Sequence, residues 1–362
     1  MGPEILPDTR EYQWVAQVVA AVERRTGRPS SWNRRLYEER SGMGATAQPN
    51  GPLSINGPEV LDPLFRAYDA TEPLDDWTTR QARAAVLVVV HETDHHQHQG
   101  GDQNAPDAVR FDSMECDPVT EGLADSNAHR LLDPVIDDIG MADAFPRIHE
   151  VDVVSSYTGY QAGVEGVLDG LQRISGRPWD EVHAAVDSAP FVQRYNAMAD
   201  VVIDSRLDGL MPPEHRSQLR LVLGQPLREE LGLLAEYDLA HVVPDLLADR
   251  GQESGAKAVQ RLEQEVQAVE QHYRRYGDNA PRMRMNAHEV ALLQRIESHY
   301  GRSTADLEVS HLRELMDEQR AGWTPGGGWG TGKPKSWAGA PVSNLHRASR
   351  RPQPDQPSRR TD

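Results

Sequence analysis

The chain has 362 residues, enough for one large or two ordinary domains, and its 38 % hydrophobic and 6 % aromatic content predicts a core that is mainly aliphatic. A formal net charge of −18 argues against broad nucleic-acid binding, which needs clustered Lys and Arg against phosphate. The lone cysteine, Cys116, excludes an intramolecular disulfide and any zinc site built from several thiolates.

Residues 1–8 carry neither a basic n-region nor an apolar h-region, so no classical signal peptide is expected. The expectation is a cytoplasmic protein, with signal-independent secretion left open. The most apolar run, residues 84–90, is too short to span a bilayer.

In chain order, residues 11–26 have helical spacing, with Trp14, Val15, Val18, Val19 and Val22 on one side. Thr26-Gly27-Arg28-Pro29 stops that helix. Residues 45–56 read as a short hairpin or edge strand, because Asn50-Gly51 is a turn pair and Leu53-Ser54-Ile55 alternates. Asp75-Asp76-Trp77 opens a helix that runs to about Gln99 and ends at Gly100-Gly101. Its continuous apolar stretch predicts burial on most of its surface. Residues 100–116 form a loop. Asp117-Pro118 reads as an N-cap followed by proline at the first helical position, opening a helix to about Leu132.

Beyond it, helical patterns cover about 151–175, 179–188, 190–208, 226–238, 256–276, 286–300 and 304–320. Gly-Arg junctions at Gly27-Arg28, Gly176-Arg177 and Gly301-Arg302 are explained by helix C-cap glycines. From Trp323 the composition turns to Pro, Gly, Ser and Arg, with seven Lys or Arg against two Asp. This predicts a disordered basic tail. Gly326-Gly327-Gly328-Trp329-Gly330 lies in that tail with no strand before it and reads as linker. No phosphate-binding loop, dinucleotide fingerprint or Gly-x-Ser-x-Gly elbow is present.

The motif that carries chemistry is His91-Glu92-Thr93-Asp94-His95. On a helix, residues four apart share a face, so His91 and His95 can offer two imidazoles to one ion. Glu92 lies about 100° further round, where it can reach a water on the open side of that ion. A catalytic zinc site needs a third protein ligand. Glu121 and Asp125 are again four apart on the next helix. Glu121 can ligate, and Asp125 can accept a hydrogen bond from a ligating ring and fix its tautomer. Among rivals, His98 is about 10.5 Å along the helix from His91, too far to share an ion. His96 points sideways, toward the surface or behind the ligands. Asp102, Asp107, Asp112 and Glu115 in the loop remain alternative third ligands.

His91-Glu92-x-x-His95 followed by Glu121-x-x-x-Asp125 resembles the gluzincin group of zinc metallopeptidases, the thermolysin-like clan. The resemblance covers roughly residues 43–175 and includes the apolar Val88, Val89 and Val90. Asp94 and Thr120 depart from the usual pattern, at positions where an uncharged residue and an asparagine are common. The resemblance implies an α+β, mainly α protein: a zincin-like catalytic domain with a small sheet over 1–210. A helical extension over 211–321 and the basic tail over 322–362 follow it. It also implies Zn2+ held by His91, His95 and Glu121, with Glu92 as general base, Asp125 behind a ligand, and a downstream oxyanion donor. For that donor Tyr157 leads, ahead of Tyr160 and His149.

The expected activity is hydrolysis of a protein or peptide substrate, with no nucleic-acid partner and no membrane span. Two alternatives stand beside it. One is a toxin or effector metalloprotease that cuts a single protein. The other is an inactive zincin-like interaction protein that binds a partner through its C-terminal helices or basic tail. The stripe Leu262, Val266, Val269 and Tyr273 is the candidate partner-binding face of those helices.

Overall fold

The computed structural model describes residues 2–39, 44–48, 50–110, 113, 115–154, 157–239, 244–277 and 280–300. The expected helix over 304–320, the Gly301-Arg302 junction and the tail lie outside the described residues. The described chain is mainly helical with one four-stranded sheet, an α+β, mainly α arrangement. Among the described residues no helix is long and apolar enough to cross a membrane. Two compact units divide the described residues: 2–97 with Asn127–Tyr157, and His98–Ser126 with 158–300.

In the first unit, β1 (Glu4–Ile5) leads into α1 (Arg10–Thr26). Thr9 caps α1 by accepting a hydrogen bond from the Tyr12 amide, and Gly27 closes it at φ +68°. Trp14, Val15, Val18, Val19 and Val22 are all buried, as their period requires. Strands β2 (Leu36–Glu39), β3 (Ala45–Ala47) and β4 (Leu53–Asn56) complete the sheet in the order β1-β2-β4-β3. β2 and β4 run parallel, while β3 and β4 pair antiparallel with Ala45 opposite Ile55 and Ala47 opposite Leu53. The hairpin expected over 45–56 is therefore present, with Asn50 at φ +52° in its turn. β3 is the edge strand, whereas β4 is interior and buries Ser54 along with Leu53 and Ile55. β1, β2 and the short helix α2 (Asp62–Tyr68) have no counterpart in the sequence reading. Each is too short to show a period.

Helix α3 (Asp76–Gln97) matches its expectation closely. Asp75 Oδ1 accepts from the Thr78 amide at 2.8 Å and so caps it. Ala82, Ala85, Val86, Val89 and Val90 enter the main core with the inward face of α1 and the sheet. The helix ends two residues early at Gln97, whose side-chain amide donates to Thr26 Oγ1 at 2.8 Å and Arg28 O at 2.7 Å. Those bonds fasten the end of α3 to the end of α1.

Helix α4 (Cys116–Asp138) starts one residue before Asp117, which is thus in its first turn, and runs six residues past Leu132 despite Pro134. A proline inside a helix costs about 3 kcal/mol. Val135 and Ile136 are fully buried just beyond it, and burial of two such side chains contributes about 1.5–3 kcal/mol each. Burial outweighs the proline, so the helix continues. The brief α5 (Met141–Ala144) follows. Residues 151–154, expected to be helical, are not. Val151 is buried, Asp152 exposed, Val153 half-buried and Val154 exposed, the alternation of an extended segment.

In the second unit, α6 (Thr158–Ser175), α7 (Trp179–Asp187) and α8 (Arg194–Val202) are followed by α9 (Arg216–Leu239), α10 (Pro244–Tyr276) and α11 (Ala287–Tyr300). α8 is flanked by a 3-10 turn, Phe191–Gln193, and a π turn, Ile203–Leu207, so the expected helix over 190–208 is broken into three geometries. α9 begins ten residues before its expected start, because Leu219 and Leu223 carry the buried leucine stripe through Pro226 to Leu227 and Leu231. α10 begins twelve residues early. Its stripe of Leu262, Val266, Val269 and Tyr273 is buried, and the helix lies along α6 and α9.

Glycines set the closest approach in the unit. A Cβ at Gly251 on α10 would sit 2.1 Å from Gly159 O, and one at Gly255 would sit 2.6 Å from Gly163 O. Only glycine allows these two backbones to pass so near.

Candidate metal centre

After Val90, α3 changes from apolar to titratable side chains without leaving the interior. Glu92, Asp94, His95 and His96 are all at most 5 % exposed, and His91 is 7 % exposed. One helical turn separates His91 from His95, and the two Nε2 atoms lie 3.1 Å apart. Their rings meet edge to face with centroids 4.8 Å apart. Two lone pairs aimed at one point repel, so such a pair is stable only when a proton or a cation sits between the nitrogens.

Glu121 on α4 joins them. His91, His95 and Glu121 each offer a ligand atom, these atoms all lie within 4.8 Å of one another, and all three residues are buried. These buried His and Glu groups could hold a metal ion. Two imidazoles and one carboxylate suit a borderline-soft divalent cation and leave room for a fourth ligand. α4 is fastened to α3 close by, where Asn127 Nδ2 donates to Asp94 Oδ1 at 2.9 Å. Asn127 lies six residues after Glu121 on the same helix. Gly122 sets the other side of α4, for a Cβ there would lie 2.7 Å from Tyr160 O on α6.

The remaining expected residues are placed as follows. Asp125 is 2 % exposed, one turn beyond Glu121. Tyr157 stacks its ring on His91, with centroids 5.4 Å apart and planes 17° from parallel. This brings Tyr157 to a proposed ligand through its ring face. His149 is held elsewhere: its ring nitrogens lie 2.9 Å from Asp133 Oδ1 and 3.0 Å from Asp137 Oδ1. Asp133 also pairs with Arg83, two turns or about 12 Å before His91 on α3, which removes His149 as an oxyanion donor. Tyr160 is buried on α6.

Of the rival acids, Asp107 accepts hydrogen bonds from Asn196 and Tyr300, each at 2.9 Å. Asp102 lies 3.4 Å from His299, and Asp112 lies outside the described residues. Of the two placements expected for His96, the surface one does not hold, for the residue is 2 % exposed. Burial, with His95 adding to it, pushes its imidazolium down to about 4. Neither of its ring nitrogens has a hydrogen-bond partner among the described residues. Cys116 is likewise buried, and burial pushes its thiol up to about 11.

Two features had no place in the sequence reading. One is Asn127 as the side chain that orients Asp94. The other is a second convergence of buried side chains, Asp94, His98 and Asp187. The i, i+4 spacing of Asp94 and His98 was visible, but Asp187 is 89 positions from His98 and carries no motif. Comparison with protein-family models, with curated proteins and with solved structures finds no match.

Proposed function

We propose that the protein is a zinc-dependent hydrolase of the gluzincin type, acting on peptide bonds. The observation that carries this reading is the 3.1 Å approach of His91 Nε2 to His95 Nε2 inside a buried helix. Glu121 in the same group supports it. The donor set fits zinc: two imidazole nitrogens, one carboxylate, no thiolate and no requirement for more than three protein ligands.

His91, His95 and Glu121 would hold the metal. When bound, zinc supplies Lewis acidity, bringing the pKa of a water to about 7 and polarising a carbonyl. Glu92, next in the chain to His91, takes a proton from the attacking water on its carboxylate and returns it to the departing amine nitrogen. Asp125, buried one turn beyond Glu121, would accept from a ligand ring and keep that ring's lone pair directed inward. Tyr157 holds the His91 plane by stacking, so its contribution is orientation of a ligand. The low exposure of the whole group limits water and strengthens each electrostatic interaction.

That same burial favours a second reading, a metal site that stabilises the α3 end without turnover, in an interaction protein. One experiment separates the two. Purified chain is assayed for zinc by elemental analysis and for hydrolysis of a peptide library, beside Glu92→Gln. The enzymatic reading expects zinc in both proteins and cleavage only by the parent. Cleavage at the parental rate by Glu92→Gln removes Glu92 from the mechanism. Zinc in both with no cleavage by either establishes the structural reading.

A further inference from the structure

We propose that Asp94, His98 and Asp187 form a second divalent-cation site, distinct from the His91–His95–Glu121 group. All three side chains are buried, and their ligand atoms lie within 4.8 Å of one another. His98 Nε2 is 3.4 Å from Asp187 Oδ1, and the two side chains are 3 % and 5 % exposed.

The pattern repeats that of the first group. Asp94 and His98 are four residues apart, like His91 and His95, but displaced by three residues. That displacement turns Asp94 about 300° around the α3 axis from His91 and carries it about 4.5 Å along, with His98 just past the end of the helix. The two pairs therefore face different directions, and each is met by a carboxylate from another helix, Glu121 of α4 or Asp187 of α7.

The position of Asp187 gives an independent reason for a cation. It is the last residue of α7, where the helix dipole disfavours negative charge. A second buried carboxylate, Asp94, stands within the same group. Two carboxylates this close in a poorly solvated setting cannot both stay charged without a proton or a metal among them.

The geometry is also fixed by backbone, as a metal site needs. Just after Asp187, the Phe191 amide donates to Gln99 O at 3.1 Å and the Val192 amide to Gly100 O at 3.4 Å. Gly101, at φ +86°, lets this strap close, since a Cβ there would lie 2.7 Å from Pro190 Cβ. Phe191 packs beside the His98 ring, with centroids 5.9 Å apart. On the other side Asn127 fixes Asp94. One imidazole and two carboxylates make an oxygen-rich set that suits Mn2+, Fe2+ or Zn2+ rather than a thiophilic ion.

The test counts ions on the full-length chain. Metal-stripped protein is titrated calorimetrically with ZnCl2 and separately with MnCl2. Bound metal is then measured by elemental analysis after dialysis, for the parent, Asp187→Asn, His98→Asn and Glu121→Gln. The expected result is two equivalents on the parent and one on each single variant, with the Mn2+ equivalent lost in Asp187→Asn and kept in Glu121→Gln. Circular dichroism confirms that each variant is folded, and Asp187→Asn preserves the size and a hydrogen-bonding group toward His98. Parental stoichiometry in both folded Asp187→Asn and folded His98→Asn overturns the second site. Parental stoichiometry in Glu121→Gln alone removes Glu121 from the first group and leaves the second site standing.

Discussion

Two buried regions of this molecule are built on opposite devices. At the polar end of α3, the interior is filled with His, Glu and Asp side chains. Where the first turns of α6 meet α10, Gly159, Gly163, Gly251 and Gly255 let backbone approach backbone with no side chain between. Titratable groups in a low dielectric are sensitive to charge and tolerant of small changes in shape. A glycine seam is the reverse: it carries no charge and gains its stability from dispersion at close range, so one methyl group matters. The first region should therefore fail by losing chemistry while the fold persists. The second should fail by losing the fold.

The largest effect is expected at Glu92. Glu92→Gln keeps the shape of the side chain and removes its basicity, so peptide hydrolysis should fall by about 1,000-fold, or about 4 kcal/mol of barrier. Zinc content and melting temperature should stay within error of the parent. A Glu92→Gln protein that melts many degrees lower would show that this region, too, is principally scaffold.

Next comes Gly251→Ala. The new Cβ would stand 2.1 Å from Gly159 O and 3.0 Å from Gly163 N, and backbone cannot move aside cheaply. A loss of about 3 kcal/mol is expected, seen as a fall of about 6–12 °C in melting temperature. The remaining folded protein should bind zinc as before. A loss below about 0.5 kcal/mol would mean that α6 and α10 are not in backbone contact.

These two regions also differ in how far the sequence revealed them. His91, Glu92, His95 and Glu121 stand at spacings that helical geometry alone brings onto usable faces, and α3 announced itself through Asp75 and its apolar run. The same geometry predicts nothing about Asp187 or Asn127, whose roles come from tertiary packing. In the seam the sequence misled. The apolar period places the start of α10 at about 256, after Gly251 and Gly255. In the folded chain they lie inside the helix, and the α6 face they meet is itself glycine-lined. α4 and α9 likewise run past their expected bounds at about Leu132 and 226, through Pro134 and Pro226, because buried Val135, Ile136 and the α9 leucines outweigh the prolines. The helix expected from 151 starts only at Thr158, and over 151–154 the inward positions Val151 and Val153 are two apart, as in an extended segment.

A smaller effect tests whether the polar region has any scaffold function. Asn127→Ala removes the 2.9 Å hydrogen bond to the buried Asp94 carboxylate. A bond to a charged group in the interior contributes about 1.5–3 kcal/mol, so denaturant unfolding should show a loss of about 2 kcal/mol. Added Zn2+ or Mn2+ at saturating concentration should recover part of it, because a cation beside Asp94 offsets the exposed need of that carboxylate. An unchanged midpoint would mean that α3 and α4 are held together without this bond.

The smallest effect has the opposite sign and is the sharpest test of the seam. Gly166 lies on α6 between Gly163 and Gly170, yet a Cβ there would meet only Gly255 Cα, at 3.8 Å, an ordinary van der Waals contact. Gly166→Ala should therefore gain from reduced freedom of the unfolded chain and from higher helix propensity, with no clash to offset either. A gain of about 0.5–1 kcal/mol is expected, measured as a rise in the denaturation midpoint at unchanged slope. Four residues on, Gly170→Ala would place its Cβ 2.2 Å from a Val259 methyl and should lose stability. If both variants move in the same direction, the glycines of α6 act through helix propensity alone. If they move apart, the requirement for glycine follows the local approach of α10, position by position.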